Sequence, residues 1–122
     1  MKTLSSLLLV LLLSIPAAWA GSVDGKGIYC PYDGGAHGFW FEDGKSFRSY
    51  IEGYEIIDFD GKPYKELGTE TIEVLMGHWN PTLNRRTLKF FDDIQCYLVK
   101  TRSELHQELQ KIIDAAKAEN KL

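Results

Sequence analysis

Three histidines and a few carboxylates are the side chains of this sequence best suited to acid–base or metal chemistry. His37, His78 and His106 stand far apart, and no two of them show the short spacing typical of a metal-binding pair. A site built from the first two would need Asp33 or Asp93 to be brought close by folding. We therefore predict no metal and no cofactor, and keep a small metal-dependent hydrolase as an alternative function.

Two pairs of neighbouring acids, Glu42-Asp43 and Asp92-Asp93, suggest hydrolysis by paired carboxylates. Both pairs lie in predicted turns, where acidic side chains cap the backbone, whereas a glycosidase needs its two carboxylates on either side of a cleft. The sequence also lacks the His-Glu-x-x-His, Gly-x-Ser-x-Gly and Cys-x-x-Cys motifs. These absences favour a binding protein over an enzyme, and a carboxylate hydrolase stays an alternative.

Two tryptophans, Trp40 and Trp79, are candidates for a binding surface because large aromatic side chains are unusually frequent for a domain of this size. In the run 38–42, strand alternation predicts Phe39 and Phe41 on one face and Trp40 on the other. If the phenylalanines fill the core, Trp40 faces either solvent or the underside of another element. An exposed tryptophan would indicate binding of a protein or a sugar.

Arg85 is the third candidate for the binding surface, since an arginine near Trp79 could hold an anion or a carboxylate. Its neighbour Arg86 would point to the opposite face of a strand, so the two side chains are poorly placed to grip one ligand together. Ion pairs with nearby acids, and a turn made by Asn84, explain this segment without a ligand. The structural interpretation is favoured over the clamp.

The first 20 residues have the three parts of a secretory signal: a positive start, an apolar run over 4–15, and small residues at positions 18 and 20. The apolar run is too short to span a bilayer. We predict that residues 1–20 are a cleavable signal peptide and that 21–122 form a single small domain. The expected location is periplasmic or secreted, without membrane insertion after cleavage.

Cys30 and Cys96 are the only two cysteines of the chain. An even number of cysteines in an exported protein predicts a disulfide bond, and here only one pairing is possible. The two cysteines fall in the first and the last predicted strands, so the bond would tie the two ends of the sheet together.

The overall charge is −3 for the whole chain and about −4 once the signal, whose only charged residue is Lys2, is removed. Nucleic acids and anionic lipids both select a clustered basic surface, so we exclude nucleic acid as a partner. The partner expected for an exported domain of this composition is a protein or a glycan of the cell envelope.

The elements expected to position these residues are short strands separated by turns that contain glycine, the pattern of an antiparallel sheet. We predict an α+β fold with a β-meander or barrel-like sheet of about seven strands. The predicted strands cover 27–30, 38–42, 45–51, 54–59, 70–76, 87–91 and 94–100. Tight turns are expected at Asp43-Gly44 and Asp60-Gly61, because these pairs tolerate positive φ angles.

One C-terminal amphipathic helix is predicted after the last strand. Thr101 and Glu104 have the spacing of a capping box. Apolar residues then recur every three or four positions and form a stripe that should pack on the sheet: Leu105, Leu109, Ile112, Ile113 and Ala116. Asn120 is the expected end of the helix.

The segment 79–88 has the form W-x-x-x-L-N-R-x-T-L and is followed by the cysteine of Ile94-Gln95-Cys96. This arrangement resembles a group of uncharacterised small exported bacterial proteins with two cysteines. The resemblance implies export and a disulfide, and it implies no catalytic residues.

A weaker resemblance connects Ile28-Tyr29-Cys30 and Gln95-Cys96-Tyr97 to the periplasmic inhibitors of c-type lysozyme. Those inhibitors are small antiparallel barrels with cysteines in their first and last strands, so the resemblance implies a barrel and an inhibitory function. Their shared Ser-Gly loop has no counterpart between Tyr54 and Met76. The function best supported by the sequence is a non-enzymatic periplasmic or secreted binding or inhibitor module. An envelope structural or interaction protein is a further alternative.

Overall fold

The computed structural model describes residues 23–91 and 93–119 of the chain; the predicted signal peptide and Asn120 lie outside these residues. The described part contains eleven strands and one helix. The strands are β1 (Lys26–Tyr32), β2 (Gly35–Glu42), β3 (Lys45–Glu52), β4 (Glu55–Asp58), β5 (Lys62–Pro63), β6 (Lys65–Leu67), β7 (Thr71–Glu73), β8 (Thr82–Asn84), β9 (Lys89–Phe90), β10 (Ile94–Gln95) and β11 (Tyr97–Val99). The helix is α1 (Arg102–Glu119).

The strands form two antiparallel sheets. The larger one, which we call the central sheet, has the order β11-β1-β2-β3-β4, with β5 also paired to β3. The smaller one, the outer sheet, has the order β10-β9-β8-β7-β6. The predicted α+β class, the antiparallel pairing and the single C-terminal helix are confirmed. The strands are divided between two sheets that pack on each other, because β6 to β10 pair among themselves.

The central sheet is covered on both faces, and the alternation along β2 shows why. Phe39 and Phe41 belong to the core between the two sheets, and Trp40 lies on the opposite face, as the sequence predicts. Of the two environments left open for Trp40, the structure shows the core beneath α1. The core between the sheets consists of Val23, Ile28, Cys30, Phe39, Phe41, Ile72, Val74, Leu83, Phe90 and Cys96. The core beneath the helix consists of Ala36, Trp40, Ile51, Val99, Leu105, Leu109 and Ile113.

The helix begins as the capping box predicts. The hydroxyl of Thr101 accepts a hydrogen bond from the backbone N–H of Glu104 at 3.0 Å, and the Glu104 carboxylate accepts one from the N–H of Lys100 at 3.3 Å. Leu105, Leu109 and Ile113 of the predicted stripe are fully buried against the central sheet. Within residues 23–91 and 93–119, no helix is long and apolar enough to cross a membrane.

The two predicted turns have different outcomes. Asp43 and Gly44 have φ angles of 53° and 73° and connect β2 to β3, so this hairpin is confirmed. Asp60-Gly61 joins no hairpin, because β4 and β5 both pair with β3, along different parts of it. The tight turn that follows β3 is made by Gly53, with a φ of 62°, and its neighbour Tyr54.

The predicted disulfide between Cys30 and Cys96 is present. Both cysteines are buried in the core between the sheets. Cys30 lies in β1, and Cys96 lies between β10 and β11, where the chain returns from the outer sheet to the central sheet. The bond therefore fixes the outer sheet to the central one at this return.

Replacing both cysteines by serine should lower the free energy of unfolding by about 4 kcal/mol, because the bond joins positions 66 residues apart and restricts the unfolded chain. Urea unfolding of the oxidised protein, the reduced protein and the double variant, followed by circular dichroism, measures the loss. The reduced protein serves as the control for the two introduced hydroxyls. A loss below about 1 kcal/mol in both would contradict the entropic role of the bond.

Candidate functional site

Trp40 lies in β2 with its ring on the helix side of the central sheet, where it is only 7% exposed. Gly27 in β1 makes room for the ring, since a Cβ at this position would lie 2.5 Å from Cε3 of Trp40. Val99 closes the same space from β11. The candidate binding surface therefore loses Trp40, because α1 covers this face of the sheet and makes the ring part of the core.

Trp79 has the opposite environment. It lies between β7 and β8, is 45% exposed, and stacks on Phe91 with ring centroids 4.7 Å apart and planes at 17°. Phe91 is 37% exposed and packs against the buried Phe90 with centroids 4.6 Å apart. We call Trp79 and Phe91 the aromatic tip. It projects from one end of the outer sheet and is anchored in the core through Phe90.

The backbone holds the aromatic tip in place. Phe91 has a φ of 57°, a left-handed conformation that is unfavourable for a bulky side chain and is typical of functional or strained positions. Before Trp79, Gly77 has a φ of 96°, and the N–H of Met76 donates to the carbonyl of Trp79 at 3.1 Å. The side chains on either side of the tryptophan, His78 and Asn80, are exposed.

Arg85 lies far from the aromatic tip, because Trp79 precedes β8 and Arg85 follows it, so the two flank opposite ends of the strand. The Arg85 guanidinium is mostly buried and lies 3.9 Å from the carboxylate of Glu66. Arg86 pairs with Glu70 at 3.3 Å. The structure supports the interpretation of this segment as ion-paired and does not join Arg85 to Trp79 in one surface.

Both arginines line a cleft of about 980 Å³ that opens between the two sheets at the end where β1 begins. Its floor is apolar and includes Ile72 and Leu83. The charged groups that line the cleft are of both signs, and the acidic ones are Glu70 and Glu104. Both arginines are already paired with acids, Arg85 with Glu66 and Arg86 with Glu70.

A smaller groove of about 200 Å³ lies beside the loop of the aromatic tip. Its walls come from β3, from residues 59–62 and from residues 75–78. Arg48 of β3 enters it from the central sheet, on the face shared with its β2 partner Phe39. Lys62, Asp60 and His78 are its exposed charged or polar residues. We call it the Arg48 groove.

Arg48 lies against two aromatic rings and has no acidic partner among the described residues. Its guanidinium carbon lies 4.9 Å from the ring centroid of Tyr50 and 5.1 Å from that of Phe59, and these two rings stack on each other. Among the described residues, no carboxylate lies within 4.0 Å of Arg48, and its buried Nε has no hydrogen-bond acceptor. Burial lowers the pKa of Arg48 below its ordinary value, although an arginine stays charged at neutral pH.

His37 lies in β2, next to the strand that carries Arg48. Its buried Nδ1 also has no hydrogen-bond partner among the described residues. Its ring lies 5.0 Å from Tyr32 and 5.7 Å from Phe90, measured between centroids. Burial, and secondly the charge of Arg48, lower the pKa of His37 to about 4. The imidazole is therefore neutral at pH 7 and adds no charge to the core between the sheets.

The structure does not assemble the hydrolytic sites considered from the sequence. Within residues 23–91 and 93–119, no three histidine, cysteine or acidic side chains are grouped so that they could hold a metal ion. His37 contacts aromatic rings, and His78 lies in an exposed loop. Glu42 and Asp43 occupy the end of β2 and the turn after it; of the other acidic pair, Asp92 lies outside the described residues.

Ser49, Asp58 and His106 form a cluster on the helix side of the central sheet. The Ser49 hydroxyl donates to Oδ1 of Asp58, and Nε2 of His106 lies 2.9 Å from the same oxygen. In a catalytic triad the histidine stands between serine and aspartate, whereas here the aspartate does. Burial raises the pKa of Asp58, but the hydrogen bonds from Ser49 and His106 outweigh it, and the pKa lies below its ordinary value. The cluster links β3, β4 and α1.

The chain matches no protein family model, no curated protein and no solved structure. The resemblances to two-cysteine exported proteins and to lysozyme inhibitors therefore stay predictions. The geometry of the described residues carries the functional argument.

Phe91 of the aromatic tip, and Arg48 and Phe59 of the Arg48 groove, are not among the residues predicted from the sequence. One signal for Arg48 was available: in Ser46-x-Arg48-x-Tyr50, strand alternation places the arginine on the same face as its partner Phe39, which is buried. A charge on a core face of a strand is unusual enough to mark a candidate site.

Lowering the pH from 7 to 4.5 should destabilise the protein through His37. Its folded pKa of about 4 lies below the unfolded value of 6.5, so the unfolded chain binds more protons between these values, and stability present above 6.5 is lost as the pH falls towards 4. We expect a loss on the order of 1 to 2 kcal/mol, allowing for the partial exposure of the ring.

Urea unfolding at both pH values measures this loss, and His37→Phe is the matched control because it keeps an aromatic ring and does not titrate. Wild type should lose more stability on acidification than His37→Phe. Equal losses in the two proteins would assign the effect to other groups.

Proposed function

We propose that this protein is an exported, non-enzymatic binding module that engages a glycan of the cell envelope through the aromatic tip. The observation that carries the proposal is the exposed stack of Trp79 on Phe91, presented by strained backbone at the end of the outer sheet. Exposing such rings to water costs free energy, and covering them with a flat apolar surface, such as one face of a sugar ring, lowers the free energy.

The side chains next to the tip suit a sugar as the ligand. The imidazole of His78 and the amide of Asn80 flank Trp79 and are exposed. Both groups donate and accept hydrogen bonds, which hydroxyl groups require. The tip itself consists of two aromatic side chains, so the proposal is binding rather than turnover.

Export is part of the proposal. The buried Cys30–Cys96 bond is typical of proteins that fold in an oxidising compartment. The signal-like pattern of residues 1–20 agrees with transport to the periplasm or the medium.

Replacing Trp79 by alanine should abolish most binding to purified peptidoglycan, with a reduction of about tenfold or more in affinity, because the stacking surface is removed. The fraction of oxidised protein that co-sediments with the polymer measures this. Tyr54→Ala, which removes an aromatic ring of similar exposure in the β3–β4 turn, is the matched control and should sediment like wild type. Trp79→Ala also loses the stack on Phe91, so its free energy of unfolding should fall by about 0.5–1.5 kcal/mol, and circular dichroism should show that it stays folded.

The proposal fails if wild type and Trp79→Ala co-sediment equally, or if neither does. Loss of binding in both Trp79→Ala and Tyr54→Ala would also contradict it, since it would point to non-specific adhesion.

A second candidate function, interaction with an envelope protein, is favoured by the edge of the central sheet. β11 is the outermost strand of that sheet, and it exposes Leu98 to 61% and Tyr97 to 48%. An edge strand with large exposed apolar side chains offers a pairing site for another chain. A c-type lysozyme is one defined protein to test here, given the resemblance of the two cysteine strands to its inhibitors.

Replacing Leu98 by lysine should reduce capture of lysozyme or an envelope protein by the immobilised oxidised protein, because a charge on an edge strand opposes pairing. Capture by wild type, Leu98→Lys and Trp79→Ala is compared by mass spectrometry. Loss only in Leu98→Lys would support the edge. If Leu98→Lys captures as much protein as wild type, the edge of the central sheet is not the binding site.

A further inference from the structure

We infer that the Arg48 groove binds a carboxylate group of an anionic ligand, with the guanidinium of Arg48 as its main contact. The inference goes beyond the proposed function, because neither ring of the aromatic tip lines the groove. It stands on residues of β3, of the 59–62 segment and of the 75–78 loop.

The first argument is the missing counterion. Charges that are removed from water in proteins are almost always paired, and Arg48 is half-buried with its Nε fully shielded. Its electrostatic neighbours are the hydroxyl-bearing rings of Tyr50 and Tyr32 rather than a carboxylate. A ligand carboxylate in the groove would supply the counterion that the described part of the chain does not place within 4.0 Å of Arg48.

The second argument is a comparison with another arginine of the molecule, Arg102. Its guanidinium also lies over an aromatic ring, 4.7 Å from the centroid of Phe47, on the helix side of the central sheet. Arg102, however, acts on Asp58 and helps to lower the pKa of that carboxyl. Both arginines lie on aromatic rings, but only Arg102 also has an acidic neighbour, Asp58. The described residues give Arg48 no such neighbour.

The third argument is preorganisation. The stacked rings of Tyr50 and Phe59 lie on the guanidinium of Arg48 and restrict its rotation. A planar guanidinium fixed in this way can donate two parallel hydrogen bonds to one carboxylate, and little side-chain entropy is lost on binding.

Size and charge favour a carboxylate over a phosphate. The groove of about 200 Å³ accommodates a small group, and Lys62 and His78 supply further donors along it. The charged side chains that line the groove are Arg48, Lys62 and Asp60, so one positive charge is in excess, which a monoanion neutralises and a dianion exceeds. A singly charged, planar carboxylate fits these conditions.

Titration of the purified oxidised protein with sodium acetate, followed by NMR of the arginine Nε–H groups, tests the inference. Ionic strength is held constant with sodium chloride, and inorganic phosphate is titrated separately. The Arg48 Nε–H resonance should shift in a saturable manner with acetate, at a Kd on the order of millimolar for so small a ligand. Arg48→Gln should weaken acetate binding by about tenfold or more, as followed by the resonances of neighbouring residues.

Arg102→Gln is the matched control, since it removes an arginine that also lies on a ring, and it should bind acetate within about twofold of wild type. Trp79→Ala should likewise retain acetate binding, which separates this inference from the proposed function. If Arg48→Gln does not fold, Arg48→Lys replaces it and should weaken binding by about threefold or more, because the ammonium lacks the planar fork.

A shift that chloride reproduces, an equal loss in Arg48→Gln and Arg102→Gln, or tighter binding of phosphate than of acetate would each overturn the inference.

Discussion

The Cys30–Cys96 bond is the constraint on which the arrangement of the two sheets depends. The strands of the outer sheet are only two or three residues long, so each contributes few backbone hydrogen bonds. Such a sheet depends on its attachment to the central one. The disulfide bond provides this attachment where the chain returns from the outer sheet to the central sheet. Where the chain first passes to the outer sheet, the Tyr64 ring packs edge-on against Phe41 and its hydroxyl donates to Asp24 at 2.9 Å.

The candidate surface follows from this attachment. Phe90 is buried in the core between the sheets, and Phe91 directly after it supports Trp79. The same loop that carries Trp79 contributes one wall of the Arg48 groove, and the central sheet contributes the floor. The distance between loop and floor is therefore set by how the two sheets pack, so the groove and the tip are both products of the core.

Local patterns in the sequence predicted the long elements because those elements repeat their pattern several times. The eight residues of β2 alternate clearly enough to separate Phe39 and Phe41 from Trp40, and the helix stripe extends over three turns. Strands such as β8 and β9 are too short for any period to be recognised, and their pairing is decided by contacts distant in sequence. For that reason the division into two sheets was not predictable.

The site was predictable only in part for a related reason. The burial of Trp40 depends on which face of the central sheet α1 covers, and alternation within one strand cannot decide that. Strand alternation could place Arg48 on a core face, but the lack of a partner for its Nε is a property of the surroundings and is seen only in the structure.

The close fit of Trp40 over Gly27 has a consequence for how this protein can evolve. No side chain can be added at position 27 while the indole stays in place, and a smaller residue at position 40 would leave a void under α1. Positions 27 on β1 and 40 on β2 are therefore sterically coupled, so a larger residue at 27 requires a smaller one at 40. A chain that keeps the Trp40 ring in this position has no room for a side chain at position 27, whatever ligand its outer loops bind.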